Sequence, residues 1–284
     1  MRLSGLNAII TGASQGLGKA IAAQFLREGA SVALCARDAT LLASARDELA
    51  AAGGRVVAQA CDVSDERQVA QFTAFAVREL GSVHALVSNA GVYGPMGPTD
   101  EVDLGEWQRA VEINLYGTLL PCRALLPHFK QAGRGEDHHH LGRRGDQSAP
   151  EYQRLCRVES GGRAPHGNPG RGTPPLPIDV NAVAPGALKT RLIEQVLAAG
   201  PEKVGAAFFA KNKTWAEEGA TPLELGAELC ACLASAESDG ITGKLISAQW
   251  DPWRRLSEHR DELAASDIYC LRRIVPEDRG KKWS

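Results

Sequence analysis

The chain has 284 residues, 44% of them apolar and 23% charged, with a formal net charge of -2. Such a composition can bury a full core, and it offers no electrostatic attraction for nucleic acid or an anionic membrane, so a small-molecule partner is expected. Seven scattered cysteines without a Cys-x-x-Cys pair, no basic-then-apolar leader and no apolar run near the ~20 residues of a membrane span predict a cytoplasmic protein with reduced thiols.

Ala8 to Thr11 form a short apolar run that opens into Thr11-Gly12-Ala13-Ser14-Gln15-Gly16-Leu17-Gly18. Leu17, Ile21 and Phe25 then recur at helical spacing until Gly29, which predicts strand, tight turn and helix. Ser31 to Cys35 reads as a second strand, Thr40 to Ala52 as a helix stopped by Gly53-Gly54, and Val56 to Cys61 as a third strand. Ser64 is placed to cap the next helix, with Asp65 and Glu66 in its first turn, and Val83 to Ser88 is a fourth strand. Trp107 to Lys130 has the pattern of a long helix. Strands alternating with helices at this spacing predict an α/β fold with one doubly wound parallel sheet, covered on both faces.

The pattern fails between Arg134 and Pro177, a stretch rich in Gly, Arg and Pro that carries His138-His139-His140 and has neither strand nor helix periodicity. Strand character returns at Ile178-Asp179-Val180-Asn181-Ala182-Val183, followed by a helix around Pro222 to Ser235 and a short strand at Lys244 to Ala248. The expected organisation is a dinucleotide-binding domain over residues 1–250, irregular over 134–177, and a C-terminal tail over 251–284. Adjacent histidines point in different directions and rarely chelate one ion, so no metal is expected.

A glycine turn between strand and helix lets backbone N–H groups approach a pyrophosphate at the helix N-terminus. Thr-Gly-x-x-x-Gly-x-Gly here, together with Cys61-Asp62-Val63, Asn89-Ala90-Gly91 and Asn181-Ala182-Val183-Ala184-Pro185-Gly186 followed by Thr190, resembles the short-chain dehydrogenase/reductase family over residues 3–130 and 178–248. The resemblance implies a Rossmann-like sheet and a nicotinamide dinucleotide as cofactor. It implies that Gly12, Ser14, Gln15, Gly16, Leu17 and Gly18 surround the pyrophosphate and that Asp62 and Val63 meet the adenine. Asn89, Ala90 and Gly91 would line the cleft, and Pro185, Gly186, Leu188 and Thr190 would hold the nicotinamide end. The substrate so implied is a small carbonyl or alcohol. Members of this family are often dimers or tetramers built on the helices after the fourth and fifth strands, one of which is lost here, so assembly into a homo-oligomer stays open.

At the end of the second strand stand Ala36 and Arg37 instead of an acidic residue. A guanidinium can grip a 2′-phosphate by paired charge-assisted hydrogen bonds, which favours NADP over NAD; alternatively Arg37 faces solvent beside Asp38.

The family's proton handling is carried by a Tyr with a Lys four residues on, beside a Ser and an Asn. Asn114, in Glu112-Ile113-Asn114-Leu115-Tyr116-Gly117, matches that Asn, which in the family orders a water relay; the alternative is a polar residue that bends its helix. Tyr152 is followed four places later by Cys156, and no lysine occurs between Lys130 and Lys189.

Back-translating the anomalous segment and reading one base later resolves the gap. Asp137 through Leu141 then decode as a run of Ile ending in Ser, and Glu151 to Gly161 decode as Asn-Ile-Ser-Ala-Tyr-Ala-Ala-Ser-Lys-Ala. His166 to Leu176 decode as an amphipathic helix end that joins Ile178. The expectation is therefore a pair of compensating frameshifts near Arg134 and Pro177. As written, the fifth strand and its helix should be missing or malformed, leaving unpaired backbone groups that cost on the order of 1–3 kcal/mol each if buried, and a chain that is inactive. The competing reading is a non-catalytic nicotinamide-dinucleotide-binding protein.

Overall fold

The computed structural model describes residues 1–131, 153–158, 178–271 and 273–281. In its first half, β1 (Asn7–Thr11), β2 (Ser31–Cys35), β3 (Val56–Ala58) and β4 (Ala85–Ser88) pair in parallel. The runs in β1, β2 and β4 are apolar on both faces because both faces are covered. Their two-residue side-chain period divides them between two layers. Ala8, Ile10, Val32, Leu34, Ala85 and Val87 join one core, and Ile9, Ala33, Cys35 and Leu86 join the other.

The first core is covered by α1 (Gly16–Arg27) and α2 (Ala39–Ala51), the second by α3 (Glu66–Leu80). Both α2 and α3 begin with an aspartate whose carboxylate accepts from the first free N–H groups, Asp38 from Thr40 and Leu41 and Asp65 from Arg67 and Gln68. The cap of α3 is thus Asp65, one residue beyond the Ser64 expected from sequence. The Ser64 hydroxyl is instead drawn to Asp62, on which it donates at 2.6 Å.

The long helix expected from Trp107 to Lys130 is three pieces: α4 (Leu104–Val111), a π-helical turn (Glu112–Tyr116) and α5 (Gly117–Gln131). Proline at 121, inside α5, has no N–H for the carbonyl of Gly117, and the wider turn precedes it.

After β5 (Gln153–Val158) and β6 (Ile178–Ala184) come α6 (Arg191–Ala199), α7 (Pro201–Val204), α8 (Ala206–Glu218), α9 (Leu223–Leu233), β7 (Leu245–Ser247) and α10 (Arg260–Ala265). The sheet order is β3-β2-β1-β4-β5-β6-β7. The slot between β4 and β6, expected to stand open, is filled by β5, which runs antiparallel to both neighbours. Backbone hydrogen bonding does not depend on side-chain identity, so a segment with the wrong side-chain pattern can still close the ladder. The rest of 134–177, including the histidine run and the helix that the shifted frame restores, lies outside the described residues.

On β6 two buried polar side chains are hydrogen-bonded to the segment that precedes β7. Asn181 donates to the Ile241 carbonyl at 2.6 Å and accepts from the Lys244 amide at 3.0 Å, and Asp179 accepts from the Gly240 amide at 2.9 Å. These bonds fix the turn that leads into β7.

Beyond residue 250 the chain packs back onto the sheet. Trp253, Leu256 and Leu263 are buried in the first core, and the Trp253 indole N–H donates to the Ala248 carbonyl at 3.0 Å. Trp250 is 79% exposed, so of the two tryptophans only Trp253 adds to the core. No helix among the described residues is long and apolar enough to cross a membrane. Trp253→Ala should cost about 3–5 kcal/mol, the range for emptying a buried aromatic site. Urea denaturation checks this; an unchanged midpoint would show that the C-terminal segment adds nothing to the core.

Candidate functional site

A cavity of about 1200 Å³ opens at the carboxyl ends of β1, β2 and β4. Parallel sheets place their ligand crevice at that edge because the loops there diverge to opposite faces. One wall is the turn after β1, with Gly12, Ser14, Gln15, Gly16 and Leu17; a second carries Arg37, Asp62 and Val63. Asn89, Ala90, Gly91 and Asn114 form a third, and Thr190 lines the cavity beside Gly16.

Four residues expected in the cleft are not among those lining it. Gly18 is buried, and a Cβ there would lie 2.4 Å from Asn89 Nδ2 and 2.5 Å from the Gly12 carbonyl oxygen. Pro185 packs near Gly226 of α9, and a Cβ on Gly186 would lie 2.5 Å from Thr221 Oγ1. Leu188 is 4% exposed and bridges to Thr221. They set the position of the wall.

The turn after β1 is held by hydrogen bonds from the neighbouring strand. The Asn89 amide side chain donates to the carbonyls of Thr11 at 2.8 Å and Gly12 at 3.1 Å, and the Thr11 hydroxyl accepts from the N–H groups of Asn89 and Ala90, both at 3.0 Å. Gly12 has φ +64°, and a Cβ there would come within 2.8 Å of Ala90 Cα. Only glycine allows that closeness. The Asn89 side chain is therefore committed to the scaffold.

At the start of α1 the capping position is Gln15, with no side-chain cap and no acidic residue in the first turn. Helix N-termini left uncapped keep orphan N–H donors and the positive end of the dipole. Here they meet the cavity, where an anionic group finds ready donors.

Arg37 is exposed at the rim, and among the described residues no ion pair holds it; Asp38 spends its carboxylate on capping α2. Asp62 is partly buried. Its Oδ1 accepts from the Ser64 amide at 3.0 Å and the Ser64 hydroxyl at 2.6 Å, and its Oδ2 accepts from Arg109. Burial pushes this carboxyl up, but the Ser64 bonds and the Arg109 guanidinium together hold it below the usual carboxylate range.

Asn114 lies in the π-helical turn and clasps Val92, accepting from its N–H at 2.9 Å and donating to its carbonyl at 2.8 Å. Both ends of the amide are used, and the Asn114 carbonyl accepts from Thr118 Oγ1 at 3.1 Å. The side chain thus anchors the loop after β4 to a distorted helix.

Sequence reading missed the contribution of α6, whose start brings Lys189, Arg191 and Glu194 to the cavity around Thr190. The signal was present in Thr190, which caps α6 by accepting from the Leu192 amide at 3.4 Å. The Lys189 ammonium donates to the Ala216 carbonyl at 3.2 Å. Ser88, also on the lining, has a buried hydroxyl with no partner among the described residues.

The four tyrosines, Tyr93, Tyr116, Tyr152 and Tyr269, are followed four places on by Gly97, Leu120, Cys156 and Arg273, so no Tyr-x-x-x-Lys exists in the chain as written.

Gly18→Ala must displace Asn89 or the Gly12 carbonyl and should destabilise by about 1–3 kcal/mol, as overpacking does. Thermal unfolding reads it, and an unchanged melting temperature would contradict the packing described.

The model of the short chain dehydrogenase family matches residues 6–136. Cis-4-hydroxycyclohexanecarboxylate dehydrogenase of Sinomonas cyclohexanicum is 33% identical over 252 residues, which are 84% of this chain and 93% of that protein. Glucose 1-dehydrogenase of Gluconobacter oxydans is 34% identical over 133 residues, 46% of this chain, and there the match spans only 50% of the relative's length. A short chain dehydrogenase of known structure from Mycobacterium smegmatis shares the fold, with a TM-score of 0.56 over 87% of this chain and 93% of that one at 22% identity. The chain belongs to the short-chain dehydrogenase/reductase family, a family of NAD(P)-dependent oxidoreductases.

Proposed function

We propose that this chain is an NADP(H)-dependent oxidoreductase that reduces a carbonyl, or oxidises a secondary alcohol, of a small molecule. We propose further that residues 134–177 as written are a displaced reading frame of its catalytic strand and helix. The observation that carries the first part is the uncapped N-terminus of α1, opening behind a glycine turn into a cavity of about 1200 Å³.

The residues fit the dinucleotide along the whole cavity. The free N–H groups of α1 would take the pyrophosphate, Asp62 would accept from the adenine amino group, and Arg37, exposed at the rim, would pair with a 2′-phosphate. The Asn114 clasp on Val92 keeps the opposite wall in register. The bound nicotinamide supplies or accepts the hydride. The substrate oxygen then needs a proton donor or acceptor, and the chain as written offers no Tyr-Lys pair for it.

The frame hypothesis is supported by where the family match stops. It ends at residue 136, two residues past the point where helical and strand periodicity fails. Sequencing the gene across codons 134–177 tests this. A shifted frame encoding Tyr-Ala-Ala-Ser-Lys makes the product an enzyme; a gene that truly encodes the present residues favours the second reading, a protein that binds the dinucleotide without turnover.

Two outcomes are expected in solution. The frame-restored chain should turn over carbonyl substrates with NADPH while the chain as written does not; equal turnover by both would overturn the frame hypothesis. Arg37→Ala should raise the Kd for NADPH by about tenfold or more and leave that for NADH within about twofold, since one charge-assisted bond is worth about 1.5–3 kcal/mol. Equal losses for both cofactors would remove Arg37 from 2′-phosphate recognition.

A further inference from the structure

Arg109 belongs to none of the motifs above, yet from α4 it reaches the adenine end of the cavity. Its Nη1 donates to Ser64 Oγ at 2.6 Å and to the Glu112 carboxylate at 3.0 Å, and its Nη2 donates to Asp62 Oδ2. Ser64 in turn donates twice to Asp62 Oδ1, and the Asp62 amide donates to Gln68 Oε1 at 2.9 Å. The Asp62 carboxylate is therefore held on both oxygens. An ionised carboxylate has about four acceptor sites; Oδ1 has filled two and Oδ2 one, so Oδ2 keeps a single acceptor site on the cavity lining.

We infer that Arg109 is a positioning residue that makes Asp62 an acceptor for one exocyclic amino group, so that the cleft selects a 6-amino purine dinucleotide over its 6-oxo counterpart. A 6-oxo group would bring its oxygen lone pairs against the carboxylate. Three of the five Arg109 N–H groups are already committed, to Asp62, Ser64 and Glu112, and these bonds hold the guanidinium on the carboxylate. Buried polar sites reject the analogue lacking the matching group far more strongly than apolar pockets reject a missing methylene. The same guanidinium also lines a second cavity of about 500 Å³, which shares Arg37, Val92 and Ile113 with the main one. The selecting contact therefore sits where α4 meets the cleft.

The inference rests on the main cavity taking a dinucleotide, and one titration separates the two claims. The full chain is titrated with NADPH and NADH and with their hypoxanthine counterparts, following nicotinamide fluorescence. Wild-type protein should prefer adenine by about tenfold or more, one decade of affinity being the scale of a single good hydrogen bond. Arg109→Gln should cut the preference to about twofold or less, and Arg109→Lys, a point charge without the fork, should restore it in part. Asp62→Asn, whose amide both donates and accepts, should abolish it. Melting temperatures confirm that each variant is folded. If Arg109→Gln does not fold, Arg109→Lys decides alone, since a preference equal to wild type overturns the inference and a reduced one supports it. Failure of wild-type protein to bind any of the four compounds would overturn the dinucleotide reading itself, whereas wild-type discrimination that survives in Arg109→Gln would overturn only the role of Arg109.

Discussion

The site depends on the brace between the ends of β1 and β4. Asn89 gives its side-chain amide to two carbonyls of the glycine turn, and Thr11 takes two N–H groups of the opposing loop. The turn must pass so close to Ala90 that no Cβ fits at Gly12, and so close to Asn89 that none fits at Gly18. These contacts set where α1 begins, and the start of α1 sets where uncapped N–H groups face the cavity. A weaker brace would leave the donors of α1 present but unaimed.

A similar division of labour holds around the rest of the cleft. Asn89 and Asn114 both spend their amides on backbone, one at each side of the loop that follows β4. Asp38 and Asp65 are spent on helix caps. Among the described residues, polar groups with unfilled capacity toward the cavity include the N–H groups of α1, one acceptor site on Asp62, the Ser88 hydroxyl and the guanidinium of Arg37.

The reversed strand shows how the sheet stays closed when the segment between β4 and β6 runs in the opposite direction. Ser88, on the cavity lining, pairs in register with Arg154, near the start of β5, whereas a parallel strand in that slot would bring its own carboxyl end to the cavity edge. The ladder is satisfied in either direction because N–H and C=O alternate regardless of side chains. The reactive groups have no such freedom, since reversal exchanges which end of the strand meets the site.

Sequence alone determined the parallel βα framework, the glycine turn and the absence of a Tyr-Lys pair. Each of these is a local matter of residue type and spacing, as in Thr11 to Gly18 or in the tyrosines followed by Gly97, Leu120, Cys156 and Arg273. The tertiary structure decided that Gly18, Pro185 and Leu188 are buried away from the cavity lining, that the start of α6 brings Lys189 and Arg191 to the cavity, and that Trp253 enters the core. It also decided that Arg109 reaches Asp62, 47 residues away along the chain. Such pairings depend on how helices and strands lie against one another, and no spacing within a single element records the approach of two distant ones.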